Sequence, residues 1–520
     1  MARRTAAGLG ATTVLLGMLA GYWSAAPVQG QSGPVVFDPY LGVRRTVGGL
    51  TTPVGMAFIG AGEMLVTEKQ TGRVRHVVNG AVVGTALDLA VNNASERGLL
   101  GIAVHPQFVD NRFVYLFWTC AAARLSDTSR PSVRECPERP ASGADTGDVL
   151  AVPLLGHRVD RFLWNGSTLT FERHIIALRA FQNDSTNRGP QGNHDGGVIR
   201  FGPDGRLYII VGDVGRRGHF QNLMNGPFGG GQPDDQFGGP EPDDAHVTSA
   251  IIRLADDGST PMDNPFFAAG AQVAGEAGVN IQRTFAYGIR NSFGMAFDPL
   301  GGHLWTQENG DNSFDEINLV DPGANLGWVQ IMGPLQRLAQ FRSIESNGLQ
   351  QARWPGSRIA TSPEQALSRL FMLPGAHYSD PEFSWKFVVP PAGIGFLSSR
   401  ALGPRFTGDL FVGAAGARLE GGHLFRFDLS GDRRSLVVSD PRLADRVADN
   451  LRPLDVTESE SLRFGSGFGA VTDIHTGPDG NLYVLSLTHG AVYEIFRSRP
   501  LAIEITDKCA WAIRRCGPRQ

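Results

Sequence analysis

The sequence predicts an all-β fold, a six-bladed β-propeller with loops inserted along its rim. Three observations lead there. A turn rich in Gly, Pro and Asp, each time feeding an apolar strand, recurs six times along the 520 residues. No helical periodicity runs through the copies, so the repeated unit is strand, turn, strand. The 67 glycines, beside 32 prolines, are spread along the chain rather than clustered, as many tight turns require. Such units bury their apolar faces only against their neighbours. A pair of β-sandwiches, the alternative, needs no repeated turn.

The first copy reads Ile59-Gly60-Ala61-Gly62-Glu63-Met64-Leu65-Val66. The second, looser, pairs His105-Pro106-Gln107-Phe108 with Phe113-Val114-Tyr115-Leu116-Phe117. Gly202-Pro203-Asp204-Gly205-Arg206-Leu207-Tyr208 is the third, and Asp298-Pro299-Leu300-Gly301-Gly302-His303-Leu304-Trp305 the fourth. Phe406-Thr407-Gly408-Asp409-Leu410-Phe411-Val412-Gly413 and Gly477-Pro478-Asp479-Gly480-Asn481-Leu482-Tyr483 complete the set. Further strands follow at 72–77, 422–427 and 490–495. Uneven spacing implies insertions at 121–147, 214–246 and 333–380, loops that would rim one face.

Composition bounds the rest. With 42% hydrophobic and 19% charged residues the chain can bury a large core. Length alone would suggest about three domains, which one closed propeller over 31–497 replaces. A net charge of -4 and the lack of any Lys/Arg block exclude a nucleic-acid partner. Residues 1–30 read as an export signal: Arg3 and Arg4, an apolar run from Gly8 to Ala20, and Ser24-Ala25-Ala26 or Gly30/Gln31 as cleavage site. The run is short for a membrane anchor, the alternative, and no later segment would span a bilayer. The expected location is periplasmic or extracellular. There disulfides are plausible; Cys120–Cys136 and Cys509–Cys516 is the simplest of three pairings, the second clipping a tail over 498–520.

Four segments could carry chemistry. His194 sits in Gly192-Asn193-His194-Asp195-Gly196-Gly197, and Asp213 ends the strand of the third copy. A neutral imidazole steered by a carboxylate is a general base. Tyr287-Gly288-Ile289-Arg290-Asn291 offers an Arg-Asn pair for an anionic or carbonyl oxygen. Glu308-Asn309-Gly310-Asp311, continuing to Asp315-Glu316, is dense in oxygen ligands suited to a hard cation, without the spacing of an EF-hand. Glu96-Arg97-Gly98-Leu99-Leu100-Gly101 leads into a buried strand.

Together these segments, with Asp315-Glu316-Ile317-Asn318 and Asn325-Leu326-Gly327-Trp328, resemble the soluble quinoprotein sugar dehydrogenases, over about residues 48 to 497. The resemblance implies a six-bladed propeller in which calcium polarises pyrroloquinoline quinone (PQQ) on the axis. A histidine there takes the proton of a sugar's anomeric hydroxyl, and an external acceptor later removes the electrons. On this chain His194 matches the base, and Asp213, 19 residues on, the aspartate that orients it. Arg290 matches the arginine near the quinone oxygens and Asn291 its neighbour. Gly310 and Asp311 match the pair whose backbone oxygens bind calcium, with Glu316 beyond; Glu96 and Asn193 join the cofactor pocket.

The chain also departs from that family. Glu96 stands for a glutamine, and Gly413-Ala414-Ala415-Gly416 lacks the family's lysine. Ala470-Val471-Thr472-Asp473 lacks two arginines, Pro390-Pro391-Ala392-Gly393 replaces an Ala-Pro-Ser-Gly turn, and Leu326 replaces a tyrosine. The expectation is an oxidoreductase acting on a sugar or polyol hydroxyl, with an intact base and a weakened PQQ cradle. The alternatives are a binding propeller that has lost PQQ, and a calcium-assisted hydrolase or lyase using His194.

Overall fold

The structure, a computed structural model, describes residues 33–119, 156–178, 180, 193–214, 247–345, 359–416 and 421–498. Its strands form six sheets in a propeller arrangement. Leading strands are Pro53–Gly60, Leu99–Val104, Ile199–Phe201, Gly294–Phe297, Pro391–Phe396 and Val471–Thr476. Each starts a run of antiparallel pairs moving outward. Consecutive leading strands touch, and the strand at 471–476 touches the one at 53–60, so the six close a ring. Leu41–Val47 pairs with Ala491–Arg497 as the outer strand of the last sheet, tying the start of the described chain to its end.

Every copy of the repeated turn joins the first and second strands of one sheet. The reason glycine recurs there is visible in the backbone. Gly62, Gly205, Gly302, Gly408 and Gly480 all have φ between 69° and 85°, the left-handed region that a residue with a Cβ rarely adopts. In the second copy the same reversal falls to Arg112 (φ 59°) after the short helix Phe108–Asn111, which is why that copy looks irregular in sequence.

Apolar faces of neighbouring sheets meet between the blades. Trp118 and Phe162 pack toward Leu65 and Val74, while Trp305, Trp385 and Phe425 fill the space between the fourth and fifth sheets. Burial of each such side chain stabilises by about 1.5–3 kcal/mol. The insertion at 333–380, expected as a loop, carries the helices Leu338–Glu345 and Pro363–Ser368. Ser362 caps the second, accepting from the Gln365 N–H, with Pro363 in the first turn. A further helix, Gly275–Arg283, lies between the third and fourth strands of the third sheet. These helices are too short for their periodicity to stand out.

The expected export signal, all four cysteines, the insertion at 121–147, residues 215–246 and the tail from 499 lie outside the described residues. Among the described residues no helix is long and apolar enough to cross a membrane.

Candidate active site

All six leading strands, or the residues just before them, line one cavity of about 920 Å³, its solvent-filled mouth included. Val54, Leu100, Val198, Phe293, Ala392 and Val471 each come from a different sheet, which places the cavity on the axis. Its polar rim includes Lys69, Glu96, Thr472 and Thr488.

Behind this wall lies the predicted base. The wholly buried strand Leu207–Val211 ends at Gly212-Asp213, and the peptide N–H of Asp213 donates to the Arg290 carbonyl at 2.8 Å. His194 is fully buried with φ 62°, an unusual backbone state for a non-glycine residue and one that concentrates at functional sites. Its Nδ1 lies 2.6 Å from Asp213 Oδ1. The other carboxylate oxygen, Oδ2, accepts the indole N–H of Trp328 at 2.9 Å. A carboxylate held from both sides fixes the imidazole with its proton on Nδ1 and makes Nε2 the basic nitrogen. Trp328 is the part of this chain of contacts that sequence reasoning missed as a site residue, although its segment carried part of the resemblance.

Glu96 reaches the same centre. One carboxylate oxygen accepts the peptide N–H of His194 (2.7 Å) and the Asn291 side-chain amide (3.2 Å). Burial, and after it the charge of Asp195, pushes the Glu96 carboxyl up to about 7. The folded chain therefore keeps this proton well above the ordinary value of 4.5. Stability from this group is full below that value and lost as pH rises through about 7. Glu96→Gln is expected to be more stable than the parent at pH 8, by on the order of 3 kcal/mol, and close to it at pH 4. Urea melts at both pH values check this; an advantage independent of pH would remove Glu96 from the account. Asp195, also fully buried, meets His157 Nε2 at 3.1 Å, a second buried His–Asp pair that the sequence did not reveal.

The predicted cation ligands meet other groups of the chain itself. The Gly310 carbonyl and the Asp311 carboxylate converge on the guanidinium of Arg290, at 2.9 and 3.0 Å, and the Asn309 carbonyl joins them at 2.7 Å. Glu316 lies apart: its carboxylate accepts from the Asn318 amide and the Gly333 N–H. Among the described residues no three His, Cys, Asp or Glu side chains are grouped so as to hold a metal ion. Asn193 is half-buried beside His194 and does not line the cavity.

Lys69 is a lining residue that the sequence reading passed over. It follows the second strand of the first sheet, as Ala415 and Leu487 follow those of the fifth and sixth, and all three line the cavity. That shared register was the available signal. Partial burial brings the Lys69 amine down to about 8, against the pull of Asp195 and Glu96, and it donates to the Ser95 carbonyl at 2.9 Å.

Comparison with known proteins agrees with this architecture. An uncharacterised protein of Synechocystis is 26% identical over 463 residues, 86% of this chain and 84% of its own length. Quinoprotein glucose dehydrogenase B of Acinetobacter calcoaceticus is 25% identical over 459 residues, 83% of this chain and 82% of that protein. The soluble aldose sugar dehydrogenase of Escherichia coli in its apo form shares the fold, with a TM-score of 0.55 and 21% identity over 88% of this chain and 99% of that one. With the glucose/sorbosone dehydrogenase family matched over residues 50–340, the chain belongs to that family, sugar dehydrogenases of the quinoprotein type.

Proposed function

We propose that this chain oxidises a hydroxyl of a sugar or polyol bound in the axial cavity, with His194 as general base. The reading rests on the buried run from His194 through Asp213 to Trp328. The substrate hydroxyl gives its proton to Nε2 of His194. Asp213 stabilises the imidazolium so formed, and the carbon loses hydride to an external two-electron acceptor, leaving a carbonyl. We further propose six blades, supported by the closed ring of leading strands, and export directed by residues 1–30.

The residues present do not fit the cofactor that the resemblance implies. PQQ carries three carboxylates. Among the described residues Lys69 is the one basic side chain lining the cavity, while alanine stands at 415 and 470 and threonine at 472. Each missing charged hydrogen bond forgoes about 1.5–3 kcal/mol. The Gly310 carbonyl, one of the oxygens expected to hold calcium, is turned to Arg290, as is the Asp311 carboxylate.

Those same apolar positions favour a second reading, a binding propeller of this ancestry without redox chemistry. One assay separates the two: dye reduction by the purified full chain with a panel of aldoses, with and without added PQQ. Aldose-dependent reduction is the expected result. No reduction with any aldose under either condition would reject the dehydrogenase reading and leave the binding one.

A further inference from the structure

We infer that the guanidinium of Arg290 occupies the cation seat of the axial site, so that this site holds its positive charge without a divalent ion. Three oxygens converge there: the carbonyls of Asn309 and Gly310 on Nη1, and Oδ1 of Asp311 on Nη2. Backbone carbonyls and a carboxylate are the ligands a hard cation takes. Here they are met by hydrogen-bond donors whose charge cannot be titrated away.

The seat is built rather than incidental. Arg290 is fully buried and Asp311 nearly so. The Arg290 peptide N–H donates to the Glu308 carboxylate, and the Gly310 N–H donates to Asp315 at 2.8 Å, so both sides are pinned. At Gly310 a Cβ would stand 1.9 Å from the Ser313 carbonyl oxygen, so this path of the loop has room for glycine and not for a side chain. The Trp328 ring covers the guanidinium, 5.5 Å from its central carbon. A divalent ion reaching these oxygens would have to displace a guanidinium or stand against it, and like charges in a buried site repel strongly. The inference concerns ion binding, so it stands or falls separately from the dehydrogenase reading.

Terbium luminescence tests it, because Trp328 would sensitise an ion in this seat. The full chain, stripped with a chelator, is titrated with Tb³⁺ with and without PQQ, and each signal is compared with the matching Trp328→Phe variant. The wild-type chain is expected to give no Trp328-dependent emission in either case. Arg290→Met, which vacates the seat and keeps its oxygens, is expected to gain emission that saturates at one ion per chain and is competed away by Ca²⁺. Arg290→Lys, which restores a cation, should again give none. Trp328-dependent emission from the wild-type chain, competed by Ca²⁺, overturns the inference. So does a folded Arg290→Met chain that stays dark, since its oxygens would then be no cation seat. If Arg290→Met does not fold, the wild-type and Arg290→Lys arms decide.

Discussion

Asn in place of Asp213 is expected to lower turnover of the best aldose by about 10³- to 10⁴-fold while leaving the chain folded. The geometry says why so small a change costs so much. In the parent, Oδ1 receives the Nδ1–H of His194 and Oδ2 receives the indole N–H of Trp328. An amide has one oxygen for these two donors. Trp328 can only donate, so the amide turns its oxygen to the indole and its NH₂ to His194. The imidazole must then accept at Nδ1, which moves its proton to Nε2 and leaves that nitrogen unable to take the proton of the proposed substrate hydroxyl. The loss should approach that of His194→Ala. The orientation also makes a rescue available. In Asp213→Asn/Trp328→Phe the indole no longer claims the oxygen, the amide can flip, and the parent tautomer returns. Recovery of at least about tenfold over the single variant is expected, since a general base contributes about 10²- to 10⁴-fold in all. Nitrogen-15 spectra of the imidazole read the tautomer without any substrate. Parent-like spectra in Asp213→Asn would refute the argument even if activity fell.

The fold was legible because its repeat is a backbone requirement. A hairpin that reverses through a left-handed residue asks for glycine, and five of six copies have one with that conformation. The second copy was blurred because a helix and Arg112 make the reversal. His194 and Asp213 were legible for a related reason: they flank the hairpin of the third copy, one before its first strand and the other after its second. In the first sheet Lys69 stands at the step past the turn glycine that Gly212 holds in the third, just before Asp213, yet one lysine after a strand carries no signal until the sheets are compared as copies.

What the residues could not reveal alone is which groups satisfy one another across sheets. Arg290, Gly310 and Asp311 were each assigned a duty toward an external group. In the folded chain they meet each other, an outcome fixed by side-chain reach between the third and fourth sheets. A buried carboxylate such as that of Glu96 is unfavourable unless protonated or paired. Burial holds its proton while two N–H donors occupy one oxygen, so both conditions operate together.

Gly212→Ala is expected to cost about 4 kcal/mol or more of folding stability, beyond what ordinary overpacking exacts, and to abolish activity. Gly212 is where the segments of the site cross. A Cβ there would stand 2.3 Å from the His194 carbonyl oxygen and 2.7 Å from that of Arg290, so two backbones, not flexible side-chain ends, would have to move. Neither is at liberty to do so. The Arg290 carbonyl accepts the Asp213 N–H at 2.8 Å, and the Gly212 carbonyl accepts the Ser249 N–H at 2.8 Å. Two residues beyond Asp195, the Gly197 N–H donates to the Ile210 carbonyl, so the His194 segment is stitched to the strand that ends at Gly212. Relief of one clash breaks another contact and carries the imidazole away from Asp213. Gly84→Ala is the control: a Cβ there meets nothing within 4 Å, and the change should stay within about 0.5 kcal/mol of the parent. Denaturant melts of the three chains read the difference. If Gly212→Ala fell within about 1 kcal/mol of Gly84→Ala, the close crossing at Gly212 would not be what holds base and carboxylate together. The shape of the site would then have to come from the sheets on either side of it, and substitutions at Gly197 and Ser249 would be the place to look for that constraint.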